Sequence, residues 1–159
     1  MREFPKPGPE HQKLRRLTGA WAARITRYRP GEPPLESTGE FLARMDIGGY
    51  FLCREVNFGM QGFQGRALTS YDAFQRAYIG TWVDSMSPII HRTRAQFDDE
   101  GTYCETSEGP DADGMLVRHR LTTEILGPNQ MLFRMYELSE AGEETLCLRV
   151  EHQRRRFVD

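Results

Sequence analysis

The chain is 159 residues long with a formal net charge of −2, and hydrophobic residues make up 38% of it. That length builds one ordinary core, that composition excludes a disordered chain, and no apolar run is long enough for a membrane-spanning helix. A nearly balanced charge offers little to a polyanion, so neither nucleic acid nor a membrane is expected as a partner.

Residues 1–8 are proline-rich and read as an extended N-terminal arm; residues 9–159 read as a single domain. Pro9 to Leu17 has the marks of a short helix. Proline stands early, Glu10 in the first turn, Lys13, Arg15 and Arg16 toward the end, and Gly19 just beyond. Leu14 and Leu17 give it one small apolar face, enough for a plug. The opening Arg2-Glu3-Phe4-Pro5-Lys6-Pro7 lacks the apolar core of a secretory signal. Cys53, Cys104 and Cys147 are odd in number and form no Cys-x-x-Cys pair, so neither a zinc ribbon nor a redox motif is expected. Both features point to a reduced, cytoplasmic setting.

From Gly19 onward, runs rich in aromatic and β-branched residues alternate with turn sequences. The predicted strands are Trp21–Arg29, Leu35–Ile47, Tyr50–Phe58, Phe63–Tyr71, Ala77–Asp84, Ile89–Phe97, Thr102–Glu108, Leu116–Leu126, Gln130–Leu138 and Thr145–Phe157. Short links such as Gly48-Gly49 and Gly127-Pro128-Asn129 favour antiparallel neighbours. About ten such strands form an all-β, antiparallel up-and-down barrel, because closure removes the exposed edges.

Alternation assigns inner faces. Val117, His119, Leu121, Thr123 and Ile125 share one; Leu146, Leu148, Val150, His152 and Arg154 share another. Ile89, His91, Thr93, Ala95 and Phe97 follow, as do Met131, Phe133, Met135 and Glu137. Ala77–Asp84 is ambiguous between two faces, and Tyr78, Gly80, Trp82 and Asp84 are favoured inward over Ile79, Thr81 and Val83. Tyr50–Phe58 gives no clear register, which leaves Glu55 undecided. An up-and-down path returns the tenth strand to the end where the first begins. Arg154 or a neighbour then stacks on Trp21 and closes the floor. Trp82, Asp84, Ser87, His91, His119, Met135 and Glu137 gather toward the opposite end.

Gly19-Ala20-Trp21 after a short helix, with a late arginine, resembles the calycin (lipocalin-like) superfamily. Pro7-Gly8-Pro9-Glu10-His11, Leu17-Thr18-Gly19-Ala20-Trp21, Ala43-Arg44-Met45-Asp46-Ile47-Gly48-Gly49-Tyr50-Phe51, Tyr71-Asp72 and Thr81-Trp82-Val83-Asp84-Ser85-Met86-Ser87 are similar to the family called "domain of unknown function 1579". The resemblance implies a lipocalin-like barrel and carries no established reaction. Ala20, where a small residue or threonine is expected, and the acidic hairpin Asp98–Asp113 depart from the pattern without endangering the fold.

The favoured activity is reversible binding of a small, mostly apolar molecule inside the barrel, with no cofactor. Phe41, Met45, Tyr78, Trp82, Phe133 and Met135 would line the walls; Asp84, Ser87, His91, His119 and Glu137 would select polar groups. Asp84 has a competing structural role, capping the Asp-Ser-Met-Ser turn. Two alternatives use the same residues. Asp84, His119 and Glu137 could perform acid–base chemistry, and His91, His119 and His152 could bind a metal or haem, though without close ligand spacing. A second copy of the chain is a further candidate partner. Asp111-Ala112-Asp113-Gly114 begins like a calcium loop but lacks the later ligands. There is no Gly-x-Ser-x-Gly elbow and no P-loop.

Overall fold

The computed structural model describes residues 1–59 and 62–156. Helix α1 (Pro9–Leu14) runs into a single 3₁₀ turn (Arg15–Leu17), and ten strands follow. They are β1 (Gly19–Arg27), β2 (Leu35–Asp46), β3 (Phe51–Phe58), β4 (Phe63–Asp72), β5 (Ala77–Asp84), β6 (His91–Phe97), β7 (Tyr103–Pro110), β8 (Leu116–Gly127), β9 (Gln130–Leu138) and β10 (Glu144–Arg154). Each strand pairs antiparallel with the next, and β1 pairs with β10 to close the barrel. Closure leaves no strand edge free to template another chain. Among the described residues no helix is long and apolar enough to cross a membrane.

The helical segment plugs one end. Leu14 and Leu17 are buried with Trp21, Leu52, Tyr78 and Tyr103 in one apolar cluster. The Tyr78 hydroxyl donates to the Glu10 carbonyl at 2.8 Å, which ties the plug to β5. Tyr50 in turn donates to the Pro5 carbonyl at 2.8 Å, holding the arm on the β2–β3 turn. The Arg154 guanidinium lies over the Trp21 ring at 4.2 Å. Its Nη1 donates to the Thr18 carbonyl at 3.0 Å and its Nε to the Pro128 carbonyl at 2.9 Å. Gly19, with φ +138°, makes room: a Cβ there would collide with that guanidinium. A second cluster, Ala23, Ile25 and Val150 with Phe58, Phe133 and Leu148, sits on one wall farther along the barrel.

Two expectations are corrected near strand ends, and a third reaches beyond the described residues. β6 begins at His91, so Ile89 precedes the strand and belongs to the irregular segment after Pro88. β10 is described to Arg154 and Phe157 lies outside the described residues. Leu146 does not share the inner face with Leu148. A β-bulge between them resets the register. Thr145 and Leu148 border the interior, whereas Leu146 pairs with Tyr136, whose ring lies under the Arg120 guanidinium on the outer surface. A bulge inserts one residue and inverts alternation on one side of it. The undecided strand β3 turns Leu52, Arg54, Val56 and Phe58 inward; Glu55 faces out, 3.8 Å from both Arg44 and Arg66.

Candidate functional site

Above the plug the barrel encloses a cavity of about 770 Å³ that reaches the Arg27–Pro30 and Ser139 end. Its two sides differ in chemistry. Phe41, Val56, Phe133, Met135, Leu148 and Val150, from β2, β3, β9 and β10, form an apolar wall. Facing it are Trp82, His91, Thr93, Glu105, Ser107 and His119 from β5 to β8. The strand registers explain the order: Trp82 lies opposite His91, Thr93 opposite Ser107, Ser107 opposite His119, and His119 opposite Glu137.

Two glycines shape the polar side. A Cβ on Gly65 would run into the Trp82 ring, and one on Gly109 would meet the His91 ring. The missing side chains on β4 and β7 let both rings lie flat against the neighbouring strand. Trp82 is held further by its Nε1, which donates to Asp84 Oδ2 at 2.8 Å. The other Asp84 oxygen accepts from the Met86 backbone N–H at 2.9 Å. One carboxylate therefore orients the indole and caps the β5–β6 turn together.

A buried ion pair crosses the lower part of the lumen. Arg54 Nη2 stands 3.0 Å from Glu105 Oε2 and donates to Thr69 Oγ1 at 3.2 Å; the two charged side chains are 12% and 7% exposed. Burial works against the Arg54 charge, but the Glu105 carboxylate and the nearby Tyr103 more than offset it, so its pKa lies above the ordinary value. Arg54 Nε, His91 Nδ1, Thr93 Oγ1 and His152 Nδ1 are buried without a hydrogen-bond partner. Such atoms each carry a desolvation cost that a ligand's polar group could relieve.

Two of the lumen histidines, His119 and His152, are held toward neutrality. Burial lowers the His119 pKa, against an opposing pull from Glu137 and with a further push from His91. His152, packed 5.1 Å from the Phe41 ring, is lowered by burial to about 4. His152 sits on β10 across from Met131, away from His91 and His119. Among the described residues no group of three or more His, Cys, Asp or Glu side chains is placed to hold a metal ion.

Eight of the eleven residues proposed from the sequence border the cavity: Phe41, Trp82, Asp84, His91, His119, Phe133, Met135 and Glu137. Met45, Tyr78 and Ser87 do not. Met45 and Tyr78 face inward at the plug level and pack into the floor cluster. The Ser87 hydroxyl accepts from the Ile89 N–H at 3.4 Å within the β5–β6 turn. Among the lining residues that sequence reasoning did not propose are the buried ion pair, Arg54 and Glu105. Both alternate with inward residues, Arg54 between Leu52 and Val56, Glu105 between Tyr103 and Ser107.

The fold is a closed antiparallel barrel, lipocalin-like in architecture, plugged by a helix at one end and hollow toward the other, and it is consistent with a calycin-like placement. The chain belongs to the family described as "Protein of unknown function (DUF1579)", whose model matches residues 6–154. No curated protein matches it. Among solved structures it is similar to the crystal structure of Rv2717c from M. tuberculosis, at 17% identity and a TM-score of 0.68. That likeness covers 94% of this chain and 99% of the other, and it concerns the fold.

Proposed function

We propose that the barrel reversibly binds a small, mostly apolar molecule in the cavity above the plug. The observation that carries this reading is the lumen itself: about 770 Å³, apolar on one side and lined by polar groups on the other. That size and lining match ordinary small-molecule sites. Phe41, Trp82, Phe133 and Met135 supply apolar area, and His91, His119 and Glu137 orient a polar group; Asp84 acts through Trp82. Native mass spectrometry of freshly purified protein, with a visible absorption scan, tests for a retained ligand. Titration with the neutral dye Nile red then tests for an accessible site. Saturable binding at one dye per chain, weakened about tenfold by Trp82→Ala, is the expected result. A clean unliganded mass together with no saturable dye uptake would overturn it.

A second reading is supported by the direct opposition of His119 and Glu137 on β8 and β9. A neutral imidazole beside a carboxylate can accept a proton from a bound substrate. This reading requires turnover that His119→Gln abolishes while ligand affinity is kept.

A further inference from the structure

The cavity's charged side chains are evenly matched. Three guanidinium groups, Arg27, Arg29 and Arg54, and three carboxylates, Asp84, Glu105 and Glu137, border it, of which Arg54 and Glu105 form an ion pair. Deep in the lumen Arg54 already holds its counter-ion, since Glu105, the more buried of the two at 7% exposed, stands 3.0 Å away. His119 and His152 are both shifted toward the neutral form and add no cation near neutral pH.

From this balance we infer that the cavity takes an uncharged amphiphile, bearing a hydroxyl or carbonyl group rather than a carboxylate, and that Glu105 sets the preference by neutralising Arg54. The inference rests on the reading of the barrel as a binder of small apolar molecules. An anionic head entering the lumen loses its hydration and recovers it only against an unpaired cation. Arg54 cannot serve while Glu105 is ionised beside it, and Glu105 would repel the newcomer. A neutral head has no such cost. Arg54 Nε can donate to a ligand oxygen, and the Thr93 hydroxyl can donate or accept. The apolar wall of Phe133, Met135, Leu148 and Val150 takes the hydrocarbon part.

The test compares decanol with decanoate by isothermal titration calorimetry near neutral pH, on the wild-type chain and on Glu105→Gln. The wild type binds decanol at least about tenfold more tightly than decanoate, because an unpaired buried charge is a large penalty. Glu105→Gln keeps the shape of the side chain and removes its charge, so decanoate gains at least about tenfold relative to decanol. Circular dichroism establishes that the variant is folded. Decanoate binding as tightly as decanol to the wild type would overturn the inference, leaving the barrel a ligand binder. A folded Glu105→Gln chain that keeps the wild-type ratio would overturn the role of Glu105. No binding of either probe to either protein would overturn both this inference and the reading beneath it. Should Glu105→Gln fail to fold, the wild-type order decides.

Discussion

Trp21 and Arg154, at opposite ends of the chain, meet as indole under guanidinium at 4.2 Å. The contact joins the first strand to the last where the barrel closes, and Arg154 also takes up the Thr18 and Pro128 carbonyls. A cation–π contact of this kind contributes about 0.5–2 kcal/mol. The indole beneath it is 1% exposed and belongs to the floor cluster, so burying its apolar surface stabilises the barrel more than the cation does.

Trp21→Ala should therefore destabilise the protein by about 3–5 kcal/mol, the range for emptying a large aromatic site. Urea unfolding followed by far-ultraviolet circular dichroism measures it. A loss under about 1 kcal/mol would contradict the burial.

Gly65→Ala tests the seat of Trp82. The added Cβ collides with the indole, which must leave its bond to Asp84. The expected cost is about 1–3 kcal/mol, as for overpacking elsewhere. Tryptophan emission should shift to the red and Nile red affinity should fall. An unchanged emission spectrum would show that the ring does not rest on this strand.

His152 makes stability depend on pH. Its folded pKa is depressed from 6.5 to about 4, so below 6.5 the unfolded chain binds a proton that the folded chain refuses. Stability from this group is complete above the unfolded value and drains away as pH falls toward about 4. Linkage puts the loss at about 2 kcal/mol near pH 5. His119, also lowered by burial, acts in the same direction. Stability of His152→Leu, measured across this window, should fall less steeply than that of the wild type. Equal slopes would rule out the buried neutral imidazole.

The bulge at Cys147 predicts an asymmetry between two apolar residues of β10. Leu146→Ser, at a half-buried position on the outer face, should cost about 1 kcal/mol, the middle of the range for single substitutions. Val150→Ser, at a site 2% exposed, should cost about 2–4 kcal/mol. Similar losses at both positions would mean that alternation runs unbroken through the strand.

Much of the barrel is legible in the order of the residues alone. His119, Leu121 and Thr123 on β8, or Met131, Phe133 and Met135 on β9, declare an inner face by simple alternation, and the Gly- and Pro-rich links declare antiparallel reversals. These are local properties, set by the period of the strand and by turn chemistry within a few residues. Ten strands with short links leave few topologies other than a meander, and Pro9, Glu10 and Gly19 mark out the plug helix.

What only the tertiary structure decided lies at longer range. The bulge that turns Leu146 outward depends on how β10 pairs with β9, and the alternation of β10 alone gives no notice of it. Met45 and Tyr78 face inward as alternation says, yet lie at the level of the plug, because depth along the axis follows from strand tilt and the registers of every neighbour. Arg54 and Glu105, 51 positions apart on strands that are not neighbours, become partners only when the sheet curls shut. A single strand's pattern reports which face a side chain takes; its opposite number across the lumen is chosen by closure.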